Sequence, residues 1–305
     1  MSAYLCNSNC KPNNPECPHV PALILPDRNI VQVDGGDAGH FLQNLITTNI
    51  DAIKPGEAHA SALLTPQGKI LFDFLISRSG ETGYRCDIRA DQTDDFIRRL
   101  TLYKLRAAVS FDKLTETPVI AGWGGDAPEG ALRDTRFPED ALAWRLYGSG
   151  SVLDGELSAW NSVRIAHGVA ESGADFALSD VFPHDVLMDK NGGVDFRKGC
   201  YVGQEVVSRM HHRGTARRRV VTLTAETDLP ADPGTELSIR AGEKPVGNLG
   251  TTNGKSALAI VRTDRVSDAL AEEIALTVEG IPVTLSLPDW TGLSFNSGDP
   301  STPDT

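Results

Sequence analysis

The chain has 305 residues, 40% of them hydrophobic, enough to bury a sizeable core, and two or three domains are expected at this length. Its 41 acidic against 29 basic residues give a formal charge of -12, which argues against wholesale binding to nucleic acid or to an anionic membrane. No apolar h-region opens the sequence and no stretch reaches the length of a membrane span, so secretion and insertion lack support and the cytoplasm is the expected compartment.

Residues 1–21 are rich in Asn, Pro and Cys, carry no hydrophobic period, and read as a disordered leader. Cys6, Cys10, Cys17 and His19 are zinc-type donors, but their spacing fits no compact knuckle and no metal is assigned. An odd count of five scattered cysteines does not make a disulfide framework. From residue 22 an apolar strand is predicted to about 33, followed by a Gly35-Gly36 turn and a helix N-capped by Asp37, with Phe41, Leu42, Leu45 and Ile46 as its buried stripe. Strands at 59–64 and 69–77, joined by Thr65-Pro66-Gln67-Gly68, give a hairpin. A third strand at 84–89 leads to a helix capped by Asp91, with Phe96, Leu100 and Tyr103 on one face. This order predicts an antiparallel sheet covered on one side, hence an α+β fold.

Further strands are expected at 109–111, 118–123 and 141–147, around a Gly/Asp/Pro-rich loop over 124–138, with a helix at 157–165 and a loop-rich stretch over 172–189. Beyond Arg217 come short alternating runs at 220–224, 236–240, 245–251, 257–261 and 274–278, broken by Gly and Pro, which predict a small β-barrel over 216–291. Within it Gly250-Thr251-Thr252-Asn253-Gly254-Lys255-Ser256 is one residue short of a phosphate-binding loop and reads as a hairpin turn. The last stretch, 292–305, is rich in Ser, Pro and Asp and is expected to be disordered.

The densest chemistry lies in Lys198-Gly199-Cys200-Tyr201-Val202-Gly203-Gln204-Glu205. Its glycines let the backbone turn tightly, and a helix is predicted over 204–211. Cys200 just before a helix N-terminus, with Lys198 two residues away, favours a thiolate or a bound anion; the alternative is a buried, inert thiol. A thiol hydrolase using Cys200 with His211 or His212 lacks an orienting third group.

This octapeptide resembles the signature of the YgfZ-type folate-binding proteins, relatives of the glycine-cleavage T protein that serve iron-sulfur cluster maintenance. Phe41-Leu42-Gln43-Asn44-Leu45-Ile46-Thr47 and Leu64-Thr65-Pro66-Gln67-Gly68-Lys69-Ile70-Leu71-Phe72-Asp73-Phe74 resemble the same family, and the match in order and spacing runs from about Leu23 to Pro288. The resemblance implies two interleaved α+β domains over 22–215 around a central folate site, plus the C-terminal barrel. It implies tetrahydrofolate as cofactor, and iron-sulfur client enzymes or assembly proteins as partners.

In a folate site of that kind Asp73, Cys200 and Lys198 would do the chemistry, with Asp73, Asp185, Arg164, Tyr201, Gly203, Gln204 and Glu205 against the cofactor. The sequence departs from the family at Asp185, where a glutamate is usual, and at Ala166, where the segment beginning with Arg164 usually carries a carboxylate. Arg209, Arg213, Arg217, Arg218 and Arg219, with His211 and His212 among them, could hold a polyglutamate tail, the acidic surface of a partner, or RNA phosphates; a solvated strand edge is the bland alternative. A cluster held by this chain alone is not expected, because four thiolates are usually required; Cys200 is instead a single transient ligand or a redox-sensitive thiol. The reading is a folate-binding factor for assembly or repair of iron-sulfur clusters. The alternative is a folate-dependent aminomethyl or one-carbon transferase in which Asp73 orients the attacking amine.

Overall fold

The computed structural model describes residues 20–149, 153–230 and 237–295. The cysteine-rich leader and its candidate zinc donors lie outside the described residues, as does most of the expected disordered tail. The single strand expected over 22–33 is two strands, β1 (Ala22–Ile24) and β2 (Arg28–Asp34), which a turn sends to different parts of one sheet. Leu25-Pro26-Asp27 supplies the break, since Pro restricts the residue before it and fixes its own φ. Then come α1 (Ala38–Gln43), β3 (Glu57–Leu64), β4 (Ile70–Ser79) and β5 (Gly83–Arg89), with β3 and β4 paired antiparallel as the expected hairpin. Next are α2 (Thr93–Lys104) and β6 (Ser110–Leu114), then β7 (Val119–Gly122), β8 (Leu132–Asp134), β9 (Trp144–Tyr147) and α3 (Leu157–His167). Asp37 stands at the N-cap of α1 as expected, though its side chain accepts from the Ala108 N–H at 2.8 Å instead of capping; Asp91 precedes Gln92, the N-cap of α2, and pairs with Arg89 at 2.5 Å.

Among the described residues these strands form one nine-stranded sheet in the order β1-β7-β9-β8-β3-β4-β5-β2-β6. All pairs are antiparallel except β3 with β8, which the Gly/Asp/Pro-rich texture had concealed. The expectation of one covered face is corrected: both are covered. On one side Leu63, Phe72, Phe74 and Ile76 pack with α1, Phe96 and Leu100 of α2. On the other, Ala60, Ala62, Leu64 and Ile70 pack against Ile165, Val186, Met188, Tyr201 and barrel residues. Small alanines alternating along β3 carry little hydrophobic signal but allow a second layer to approach closely.

After α4 (Gln204–Arg213) the described residues form a closed barrel of six strands. Its strands are β10 (Arg218–Ala225), β11 (Ser238–Ala241), β12 (Lys244–Asn253), β13 (Ser256–Arg262), β14 (Leu276–Val278) and β15 (Ile281–Ser286). Among the described residues closure leaves no barrel strand with a free edge. The Asn253–Ser256 pairing makes residues 250–256 a hairpin turn, and α5 (Thr263–Ala271), missed in the sequence, packs Val266 and Ala269 into the barrel core.

Candidate functional site

The three motif stretches meet around Cys200. Thr47 Oγ1 donates to the Gly193 carbonyl at 2.6 Å, Thr48 Oγ1 to the Ala60 carbonyl at 2.5 Å, and the Asp195 N–H to the Thr47 carbonyl at 3.0 Å. Lys198 Nζ completes the seam, donating to the carbonyls of Ile46 and Thr48, both at 2.7 Å. From the other side the Thr65–Gly68 turn abuts Gly203, whose φ is +80°; a Cβ there would stand 2.5 Å from the Thr65 carbonyl oxygen and 3.1 Å from Gly68 Cα. The glycines that make both motifs recognisable are therefore there for mutual close approach.

Between these anchors Tyr201 is buried in one core cluster and Val202 packs against the other, while Gly199 and Cys200 stay exposed. Gly203 ends the turn and α4 begins at Gln204. Of the cysteines described, Cys86 is buried, with its thiol pushed well up by burial, and Cys200 is exposed. Lys198 does not direct its ammonium outward: burial pushes it down to about 8, and it sits over the Tyr201 ring at 5.4 Å. Burial also pushes the Tyr201 hydroxyl up to about 12, and that hydroxyl has no hydrogen-bond partner among the described residues. The loop is thus a rigid mount with one accessible thiol. Among the described residues no group of three or more His, Cys, Asp or Glu is placed to hold a metal ion.

The other predicted site residues are dispersed. Asp73 faces a cavity with Ser61, Arg28, Arg136, Phe176, Met188 and Trp290 on its walls. Asp185 is not on that wall. It accepts from the Phe182 N–H at 3.1 Å within its own turn, and burial raises it to about 6. Arg164 is turned to Asp175 at 2.7 Å, the Val169 carbonyl at 3.0 Å and Thr251 Oγ1 at 2.8 Å. The cavity measures about 30 Å³, room for a water or two, whereas ligand pockets run to ~300 Å³ and more. With Tyr201, Gly203, Gln204 and Glu205 also absent from its walls, these residues do not fit a pterin as they stand.

What fills this region is a buried ion-pair network that sequence reasoning missed. Arg28 pairs with Asp87 at 2.7 Å, Arg136 with Asp134 at 2.8 Å and with Glu171 at 3.0 Å. Arg145, fully buried, lies 3.4 Å from Asp87 and 3.6 Å from both Asp134 and Glu171, with its guanidinium over Trp160 at 5.0 Å. Burial alone would raise the Glu171 carboxyl, but the surrounding guanidiniums hold it well below the usual carboxylate range.

Comparison with known proteins adds to the geometry. The family described as CAF17, C-terminal beta-barrel domain, matches residues 217–293. The chain is 32% identical over 250 residues to the mitochondrial iron-sulfur cluster assembly factor IBA57 homolog of Coccidioides immitis, covering 70% of this chain and 58% of that protein. It is 27% identical over 301 residues to mitochondrial IBA57 of Mus musculus, covering 87% and 84%. The chain thus spans less than two thirds of the length of several of the fungal relatives it matches, 58% for Coccidioides immitis and 56% for Mycosarcoma maydis. The cytoplasmic expectation is overturned here, because these relatives are named as mitochondrial proteins. Glycine cleavage system aminomethyltransferase T of Bartonella henselae superposes with a TM-score of 0.65 at 16% identity, covering 88% of this chain and 86% of that one. The chain has the fold of aminomethyltransferase T and is similar in sequence to iron-sulfur cluster assembly factors.

Proposed function

We propose that this protein is an iron-sulfur cluster assembly factor that offers the Cys200 thiol as one transient ligand to a cluster in passage between other proteins. The observation that carries the reading is an exposed thiol on a loop pinned by Lys198, Tyr201 and Gly203, where the three motif stretches converge. A rigid mount lets the sulfur meet an incoming cluster without the entropy cost of ordering a loop. One thiolate cannot hold a cluster, so the remaining ligands belong to the donor or acceptor, and release is built into the arrangement. Likeness to assembly factors supports the same role.

The reading assigns no step to a folate. An aminomethyl transferase would need the substrate beside Asp73, where the cavity admits a water or two. The test is removal of the gene, followed by assay of several iron-sulfur enzymes against a cluster-free enzyme as control. A selective fall in the iron-sulfur enzymes is expected; full retention overturns the proposal.

A further inference from the structure

The arginine stretch that follows the thiol loop divides in the structure. Arg219 turns inward, donating to the His184 carbonyl at 2.7 Å and to Asp189 at 2.6 Å, and Arg218 lies 3.2 Å from Asp180. Arg209, Arg213 and Arg217 remain exposed. On α4, Val207 is buried, Val206 meets the Thr65–Gly68 turn, and the His211 ring stacks on Phe196 at 3.8 Å, so these residues mark the inner side. At helical spacing Arg209 and His212 lie on the other side with the exposed Glu205, and Arg213, one turn after Arg209, borders it. α4 follows the Cys200 loop directly and runs about 15 Å along its axis. At its far end lies a cleft of about 330 Å³ whose walls carry Arg217, Leu287, Leu293 and Phe295 together with the carboxylates Asp264 and Asp268.

We infer that this surface docks an acidic segment of a protein partner, its carboxylates along Arg209 and Arg213 and an apolar side chain in the cleft beside Arg217. The inference rests on the reading of Cys200, since it places the partner's segment alongside the thiol. Charge complementarity favours this occupant: the exposed Arg209, Arg213 and Arg217, three cations close together on a chain of net charge -12, select a partner with local acidity, and the apolar side chain would sit against Leu287, Leu293 and Phe295. RNA fits less well. The overall charge repels an extended polyanion.

The test uses the full chain and three fluorescent probes: an acidic Glu/Asp peptide of about ten residues with one central Leu, the same peptide with Ser for Leu, and a ten-nucleotide oligouridine. Arg209→Glu with Arg213→Glu is expected to weaken the Leu peptide about tenfold or more, as does raised salt. The Ser peptide binds about fivefold more weakly than the Leu peptide, for want of its anchor. Cys200→Ser leaves peptide affinity unchanged, so a failure of the thiol reading and a failure of the docking surface show in different assays. Unchanged affinity in the arginine double variant, or oligouridine binding as tightly as the Leu peptide, overturns the inference.

Discussion

Two glycines in one motif should respond oppositely to the same change. Gly203 has φ +80°, and an added Cβ would stand 2.5 Å from the Thr65 carbonyl oxygen and 3.0 Å from Leu64 Cβ. Gly199 has nothing within 4 Å of that position. Forcing an L-residue into the left-handed region costs about 1–2 kcal/mol. Pushing the Thr65–Gly68 turn aside to relieve the contact adds about 1–3 kcal/mol by analogy with overpacking. Gly203→Ala should therefore lose about 2–5 kcal/mol, a fall in melting temperature of about 4–10 °C for a chain of this size. Gly199→Ala should stay within about 0.5 kcal/mol. Thermal melts followed by circular dichroism on the three proteins, in one buffer, read the difference. If Gly203→Ala melts with Gly199→Ala, the seam between the two motifs does not exist as described.

Glu171→Gln leaves four buried guanidiniums with three carboxylates, Asp87, Asp134 and Asp175, and should cost about 3–5 kcal/mol by urea unfolding. The wild-type network adds its own pH dependence. Glu171 and Asp134 are both held below their ordinary values, so their stabilisation is present above about pH 4 and is lost as pH falls further. His184 and Asp185 act with opposite signs. Burial pushes His184 down to about 4, so it destabilises as pH falls from about 6.5; Asp185 at about 6 stabilises progressively as pH falls through about 6. His184→Phe removes the first effect, and its stability relative to wild type should improve by about 2–3 kcal/mol between pH 7 and 4.5, measured by urea midpoints. A constant difference would refute that assignment. Titration with a reduced folate, followed by tryptophan fluorescence, should give no saturable change at micromolar concentration, and Asp73→Ala should behave as wild type. Saturable binding lost in Asp73→Ala would show that the cavity opens.

The fold was largely legible because its elements have strong local signals. The Thr65-Pro66-Gln67-Gly68 turn between alternating runs specified the hairpin, and short Gly-punctuated runs specified the barrel. Failures have physical causes. Pro26 splits a run that reads as one strand, and β8 hides in a Gly/Asp/Pro-rich stretch because its three residues pair through backbone, not through an apolar pattern. α5 was missed because only Val266 and Ala269 of its nine residues are buried in the barrel core. At the site, the octapeptide was conspicuous, but which of its members point inward was not. Lys198 reads as a reactive cation beside Cys200, and its ammonium is bonded to two carbonyls from residues about 150 positions away. The Arg145 network was illegible, since nothing local indicates that Asp87, Asp134 and Glu171 meet around one guanidinium.

The central claim is that the Cys200 sulfur handles clusters, and its direct test is Cys200→Ser at the native locus with Gly199→Ala as the matched control. Both positions are exposed, so neither variant should alter stability. Iron-sulfur enzyme activity, normalised to the amount of each enzyme, should fall in Cys200→Ser towards the level of the gene deletion and stay at wild type in Gly199→Ala. Full activity in Cys200→Ser, where the deletion strain is deficient, would contradict the account.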